Sequence, residues 1–168
     1  MIDGLEIKPL VRHADDRGYL AEMLRADEPI YRGFGQANVT MTYTGVVKAW
    51  HYHNEQDDLW VCVKGMIRAA MYDMREASPT FGQVQEVYMG DHNPVLVRIP
   101  IGVAHGYKVV GNDPAIIIYF VTTPYDRSHP DEFRIPWDSP ALPFDGSLRN
   151  RCRPVSRRPW TDPSPPIP

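Results

Sequence analysis

GVVKAWHYHNEQDDLWVCVKG, residues 45–65, sets two histidines one residue apart in a run that reads as a β-strand, and a carboxylate at the start of the next such run. Side chains alternate faces along an extended strand, so His51 and His53 are expected to point the same way, with Val47 and Ala49 beneath them. A polar turn from Asn54 to Asp57 then leads into Leu59 to Val63, and an antiparallel return brings Asp58 back towards the imidazoles. Further on, IPIGVAHG, residues 99–106, places His105 just after Pro100 and Gly102 at the end of another apolar run. Three histidines and one carboxylate at spacings that a strand barrel can bring together read as a site as well as a core.

Working outward, the chain from Gln36 to about Val121 consists of short segments rich in Val, Ile, Thr and Tyr, separated by Gly, Pro, Asn and Asp. That spacing predicts an all-β sandwich or barrel, and no helical periodicity of comparable length competes with it. QANVTMTYTG, residues 36–45, alternates Gln36, Asn38, Thr40 and Thr42 with Ala37, Val39, Met41 and Tyr43. By itself such a strand reads as a solvent-facing edge; beside the histidine strand it reads as the polar wall of a ligand cavity. DPAIIIYFVTTPY, residues 113–125, puts Tyr119, Val121, Thr123 and Tyr125 on one face if the strand stays regular, so two phenols are expected in that cavity.

A chain of 168 residues suits one buried core and is short for two ordinary domains. We expect one domain over 1–145 and a Pro/Arg-rich tail over 146–168, since ten of the seventeen prolines lie from Pro130 onward and Arg149, Arg151, Arg153, Arg157 and Arg158 cluster near the end. With 43% hydrophobic and 23% charged residues the composition is that of a globular protein, and the net charge of -3 gives no support for nucleic acid or an anionic membrane as partner. No apolar stretch is long enough to span a bilayer, and the charged opening MIDGLEIKPLVRHADDRG does not read as a secretory signal, so a cytoplasmic location is expected. Cys62 and Cys152 are far apart and are read as free thiols.

The order Gly45, five residues, His51, one, His53, four, Asp58, six, Gly65, followed by Pro100-x-Gly102-x-x-His105, resembles the two cupin signature motifs, with Asp where the first usually has Glu. A closer resemblance covers most of the chain. DDRGYLAE, Gln36-x-Asn38, KAWHYH, Asp73-Met-Arg75 with Ser78 to Gly82, IPIGVAHGY, and Tyr119 with Tyr125 are similar, in order and spacing, to motifs of the dTDP-4-dehydrorhamnose 3,5-epimerase family. The resemblance implies a cupin-type double-stranded β-helix barrel with short flanking helices, a homodimer with an exchanged N-terminal strand, a nucleotide-linked sugar as substrate, and no cofactor. It also implies His51 as the base that removes the proton beside a C4 ketone, Tyr119 as the acid, and His105 and Tyr125 close by. Arg17, Glu22, Gln36, Asn38 and Lys48 would bind the nucleotide and its pyrophosphate.

The chain departs from the family at the site itself. Asp58 stands where a lysine is expected, His53 where a glutamine is, Lys48 where an arginine is, and Leu20 where an aromatic would stack on thymine. The carboxylate that orients the base is matched only by Asp138, with a shift of one residue. The changes to His53 and Asp58 complete, with His51 and His105, a ligand set for one divalent transition ion such as Zn, Fe, Mn, Ni or Cu. Three readings follow: a sugar-nucleotide epimerase or isomerase, a metal-dependent cupin enzyme, and a cupin that binds a sugar without turning it over. A hydrogen-bonded His53–Asp58 pair with no metal is the structural alternative. The first reading covers both scaffold and site and is preferred.

Overall fold

The β-branched and aromatic runs form strands, and the Gly, Pro and Asp clusters between them form turns. The computed structural model describes residues 1–137, 139, 140 and 142; Asp138, Cys152 and the expected tail 146–168 lie outside the described residues. One antiparallel sheet runs in the order β1 (Glu6–Pro9), β9 (Val95–Ile99), β6 (Asp58–Lys64), β11 (Ala115–Val121), β4 (Gln36–Thr42). The second runs β12 (Phe133–Arg134), β5 (Val47–Tyr52), β10 (Val103–Val110), β7 (Met66–Asp73), β8 (Val84–Gly90). A two-stranded ribbon, β2 (His13–Asp15) with β3 (Gly18–Leu20), stands apart from both. The all-β cupin fold is therefore as expected. The short flanking helices are not: among the described residues there are none, because the connections, such as Arg25 to Gly35 and Arg75 to Gln83, carry Pro29 and Pro79 and close as tight turns.

The two sheets enclose the main core. Ile67, Met71, Met89, Val97, Ile99, Val103 and Ile117 are buried between them with Trp60 and Tyr107. Each aliphatic side chain so buried contributes about 1.5–3 kcal/mol, which makes the barrel a firm frame for polar groups inside it. On β6 the alternation sends Asp58, Trp60 and Cys62 inward, while Leu59 and Val61 pack outward under Leu10 and Ile30. Both faces of β6 are covered, so it reads as a nearly continuous apolar run. Behind the second sheet, Trp50, Ala70 and Ala104 pack with Leu142.

On β4 the polar face turns into the barrel: the Thr42 hydroxyl meets that of Tyr107 at 2.8 Å, and Lys48 Nζ donates to Thr40 Oγ1 at 2.8 Å. The apolar face, with Val39, Met41 and Tyr43, is exposed.

The β5–β10 pairing corrects one expectation. His105 pairs with His51 and Tyr107 with Lys48, so two residues of β5, Ala49 and Trp50, oppose the single residue Gly106. This β-bulge turns Ala49 and Trp50 outward together and leaves Lys48 and His51 on the inner face; Val47 and Ala49 therefore do not lie beneath His51. Gly106 is required here, because a Cβ on it would come 2.4 Å from Ala49 Cβ.

Candidate functional site

Strand ends bring the four candidate ligands together. His51 is near the end of β5, His53 just beyond it, Asp58 opens β6, and His105 lies on β10 directly opposite His51. One ligand atom from each lies within 4.8 Å of all the others. The distances from the Asp58 carboxylate are 3.4 Å to His105 Nε2, 3.7 Å to His53 Nε2 and 4.0 Å to His51 Nε2.

The rings of His105 and His53 are held by backbone. His105 Nδ1 lies 2.8 Å from the Val103 carbonyl, so Nδ1–H donates there and Nε2 is turned towards Asp58. His53 Nδ1 is likewise bonded to the Asp131 carbonyl, and the His53 carbonyl accepts from Gly102 N–H at 2.8 Å. Asp131 also fixes the turn that carries His53, its carboxylate accepting the N–H groups of Asn54 and Glu55 at 2.8 Å each. Asp58 accepts from Gln56 Nε2 at 3.1 Å and from Trp60 Nε1 at 3.0 Å. The Trp60 ring stacks on His51 with centroids 6.0 Å apart and planes 27° apart.

The acidic pair Asp57–Asp58 splits into two jobs. Asp57 accepts from Arg98 Nε at 2.8 Å and from Ile101 N–H at 3.1 Å, so it ties the barrel rim together. Asp58 faces the imidazoles and, like His105, is almost wholly buried. Burial pushes the Asp58 carboxyl up, but hydrogen bonding by His105 and the surrounding imidazoles outweigh it and hold the group well below the usual carboxylate range. His51 is driven well below the ordinary imidazole value, by burial first and by neighbouring His105 next, against the pull of Asp58. It is a neutral imidazole at pH 7.

Tyr119 pairs in register with Trp60 on β6 and Asn38 on β4, and so faces the same interior. Burial, then the charges of Asp58 and Glu132, raise its pKa and keep the phenol protonated. Gln36 Nε2 donates to Asn38 Oδ1 at 2.7 Å on the polar wall that also holds the Lys48–Thr40 bond. The interior thus presents a neutral imidazole, a protonated phenol and a row of amides and hydroxyls, which is a set able to move a proton and hold a polar ligand.

Other expected site residues stand apart from this cluster. β11 ends at Val121, so Tyr125 does not continue the Tyr119 face; it lies in an exposed loop, its N–H donating to Gln36 Oε1 at 3.0 Å. Arg17 follows the β2 strand and pairs with Asp15, and Glu22 pairs with Arg25, both at the surface. Asp138 lies outside the described residues. Cys62 is a buried free thiol pushed up to about 11 by burial, which leaves it unreactive. A hollow of about 200 Å³ lined by Leu10, Tyr19, Met23, Val61 and Pro94 opens on the other face of β6 and contains none of the histidines.

Three site residues carried no assigned role in the sequence reading. Trp60 was reachable, since a strand residue two beyond Asp58 shares its face. Gln56 and Asp131 were not, because the first depends on the curl of a turn and the second on β12 closing against β5, with Arg134 opposite His51.

Comparison with known proteins places this geometry. The model of the family described as dTDP-4-dehydrorhamnose 3,5-epimerase matches residues 1–156. The spore coat polysaccharide biosynthesis protein SpsL of Bacillus subtilis is 50% identical over 151 residues, which is 90% of this chain and 100% of that protein. The probable low-salt glycan biosynthesis epimerase Agl13 of Haloferax volcanii is 43% identical over 139 residues, 82% of this chain and 89% of its own. Among solved structures, a dTDP sugar isomerase from Desulfovibrio desulfuricans superposes with a TM-score of 0.83 at 30% identity, covering 90% of this chain and 94% of the other. The dTDP-6-deoxy-D-glucose-3,5-epimerase RmlC of Legionella pneumophila, solved in complex with dTDP-4-keto-L-rhamnose, gives 0.76 at 31% identity, covering 86% and 79%. With its fold, motifs and relatives in agreement, the chain belongs to the dTDP-4-dehydrorhamnose 3,5-epimerase family, whose members are isomerases of sugar nucleotides.

Proposed function

We propose that this protein epimerises a dTDP-linked 4-keto-6-deoxyhexose at a carbon next to the ketone. The observation that carries the reading is the pairing, in one interior, of His51, whose side chain is 26% exposed where the other imidazoles of the cluster are at most 8% exposed, with the protonated phenol of Tyr119. His51 faces incoming substrate and is neutral. It takes the proton as the C–H bond breaks, the bonding pair passes into the enolate, and the Tyr119 hydroxyl returns a proton to the opposite face of the same carbon. Solvent then reprotonates the phenolate and deprotonates the imidazolium. Gln36, Asn38 and Lys48 along the polar wall bind the substrate's hydroxyls and pyrophosphate. A positioned general base or acid supplies about 10²–10⁴-fold each, so His51→Asn and Tyr119→Phe should lose turnover by such factors while remaining folded.

The same reading gives an enzyme of the cytoplasm, where nucleotide sugars are made, with the catalytic unit over residues 1–145. We infer a homodimer, in which a second copy covers the exposed Val39, Met41 and Tyr43 along β4 and brings the Arg17–Glu22 segment towards its neighbour's cavity; burying such an edge also protects it from non-specific pairing.

The test is wash-in of solvent deuterium at C3 and C5 of a dTDP-4-keto-6-deoxyhexose, followed by NMR. Exchange that is lost in His51→Asn supports the reading. Tight binding without exchange in the wild type would instead make this a sugar-binding cupin.

A further inference from the structure

At the centre of the barrel, imidazole nitrogens and carboxylate oxygens converge within 4.8 Å of one another. The His105 Nδ1–H is spent on the Val103 carbonyl and the His53 Nδ1–H on the Asp131 carbonyl, so both Nε2 atoms point at the oxygens of Asp58. His105 Nε2 is wholly buried and, among the described residues, has no hydrogen-bond partner within normal distance. The Asp58 oxygens already accept from Trp60 and Gln56, and they stand 3.4 and 3.7 Å from the Nε2 atoms of His105 and His53, too far for a normal hydrogen bond. A buried polar atom left in this way costs about 1–3 kcal/mol, and a cation between the groups removes the cost.

We propose that His53, Asp58 and His105 hold one divalent transition-metal ion, with His51 remaining free beside it as the base. Four ligands placed tetrahedrally at about 2.0–2.1 Å from a metal stand roughly 3.4 Å from one another, close to the separations seen around Asp58. Two imidazoles and one carboxylate are the borderline donor set of Zn, Fe and Mn sites that keep positions open for a ligand. The backbone carbonyls behind His53 and His105, and Trp60 and Gln56 behind Asp58, are the outer partners that fix such ligands in orientation and tautomer. His51 differs from these three: its side chain is the exposed one, it stands 4.0 Å from the carboxylate, and it stacks on Trp60.

The site rests on geometry alone, whereas the role given to the ion rests on the epimerase reading. His53, Asp58 and His105 would hold the ion where a family lysine is replaced by Asp58; when bound it would supply Lewis-acid polarisation of a carbonyl, beside His51 as the base.

Untagged protein purified without chelator should carry about one transition ion per chain by elemental analysis, and His53→Ala and Asp58→Asn should each lose it. Because either variant can misfold, chelator-stripped wild type is also titrated with Co(II). Visible absorption bands that saturate at one equivalent support the site; an absence of saturable binding, together with no ion in the native protein, overturns it. Deuterium wash-in is then compared in stripped and reloaded enzyme. A loss of about 100-fold on stripping, restored by metal, supports the ketone-polarising role. Equal exchange with and without metal overturns that role and leaves the site standing. Metal binding with no exchange in either form overturns the epimerase reading and leaves the site intact.

Discussion

Gly106→Ala tests whether the close approach of β10 to β5 positions His51, the proposed base. The added methyl would lie 2.4 Å from Ala49 Cβ, 2.7 Å from Ala49 Cα and 2.8 Å from the Lys48 carbonyl oxygen. Carbon atoms in contact need about 3.5–4.0 Å, so β5 must withdraw by roughly 1 Å. Two of the three obstructing atoms are backbone, which leaves no side-chain rotation to relieve the clash. Overpacking of a tight core costs about 1–3 kcal/mol, and the upper end applies here. In a chain of this size each kcal/mol moves the melting temperature by about 2–4 °C, giving a drop of about 6–12 °C. The same shift displaces His51, which β5 carries, and a displacement of about 1 Å at a reacting group costs on the order of 10²-fold in rate. Thermal unfolding by circular dichroism and deuterium wash-in read the two effects on one preparation. Gly82→Ala is the control: its φ of +79° strains any side chain, but no atom lies within 4 Å of the new methyl, so stability falls by about 1–2 kcal/mol while exchange is unchanged. A Gly106→Ala protein that melts with the wild type and exchanges at the wild-type rate would refute the assignment of β5 spacing to this glycine.

Three further outcomes are expected. Burial pushes the Asp73 carboxyl up, but bonds from Arg75, Ser78 and Thr80 more than reverse this, so its stabilisation is complete above about pH 4 and is lost as pH falls towards the depressed folded value. Asp73→Asn should cost about 3 kcal/mol at neutral pH and flatten the acid limb of a melting-temperature profile, and an unchanged limb would disprove the assignment. Trp60→Phe keeps a ring against His51 but removes the donor to Asp58 Oδ2, so urea unfolding should show a loss of about 1.5–3 kcal/mol. Asp131→Ala leaves the carbonyl behind His53 but frees the N–H groups of Asn54 and Glu55, and Co(II) affinity should fall by about 10–100-fold; undiminished affinity would mean that the turn holds His53 without help.

The sequence made the barrel legible because its two signals, β-branched alternation and Gly/Pro punctuation, act locally. It also made the cluster legible, since the two histidines flank the end of one strand, the carboxylate opens the next, and an antiparallel connection returns one to the other. The direction of the strand beneath His51 was not legible. A bulge is a count of residues on one strand against its partner, and the partner, β10, lies more than fifty residues further on; Ala49 and Trp50 face outward only because Gly106 lets the strands close. Tyr125 shows the converse limit. Its alternation with Tyr119 is regular in the sequence, but the backbone turns away after Val121, where Thr122 N–H bonds to the Asp57 carbonyl.

The exchange of a cationic residue for Asp58 is best understood together with His53. A carboxylate 2% exposed inside a barrel costs several kcal/mol unless opposite charge and hydrogen bonds compensate it, so the change could not be tolerated alone. Here Trp60 and Gln56 supply hydrogen bonds and three imidazoles surround the oxygens, one of them, His53, held by the backbone of a segment that lies more than seventy residues later. Every one of these groups aims inward at one point. The Nδ1–H groups of His53 and His105 are both spent on backbone carbonyls, which fixes the two rings with Nε2 turned towards the carboxylate. Rings fixed in this way are the arrangement that the proposed ion needs, since a ligand held in orientation by a partner behind it binds more tightly than one free to rotate.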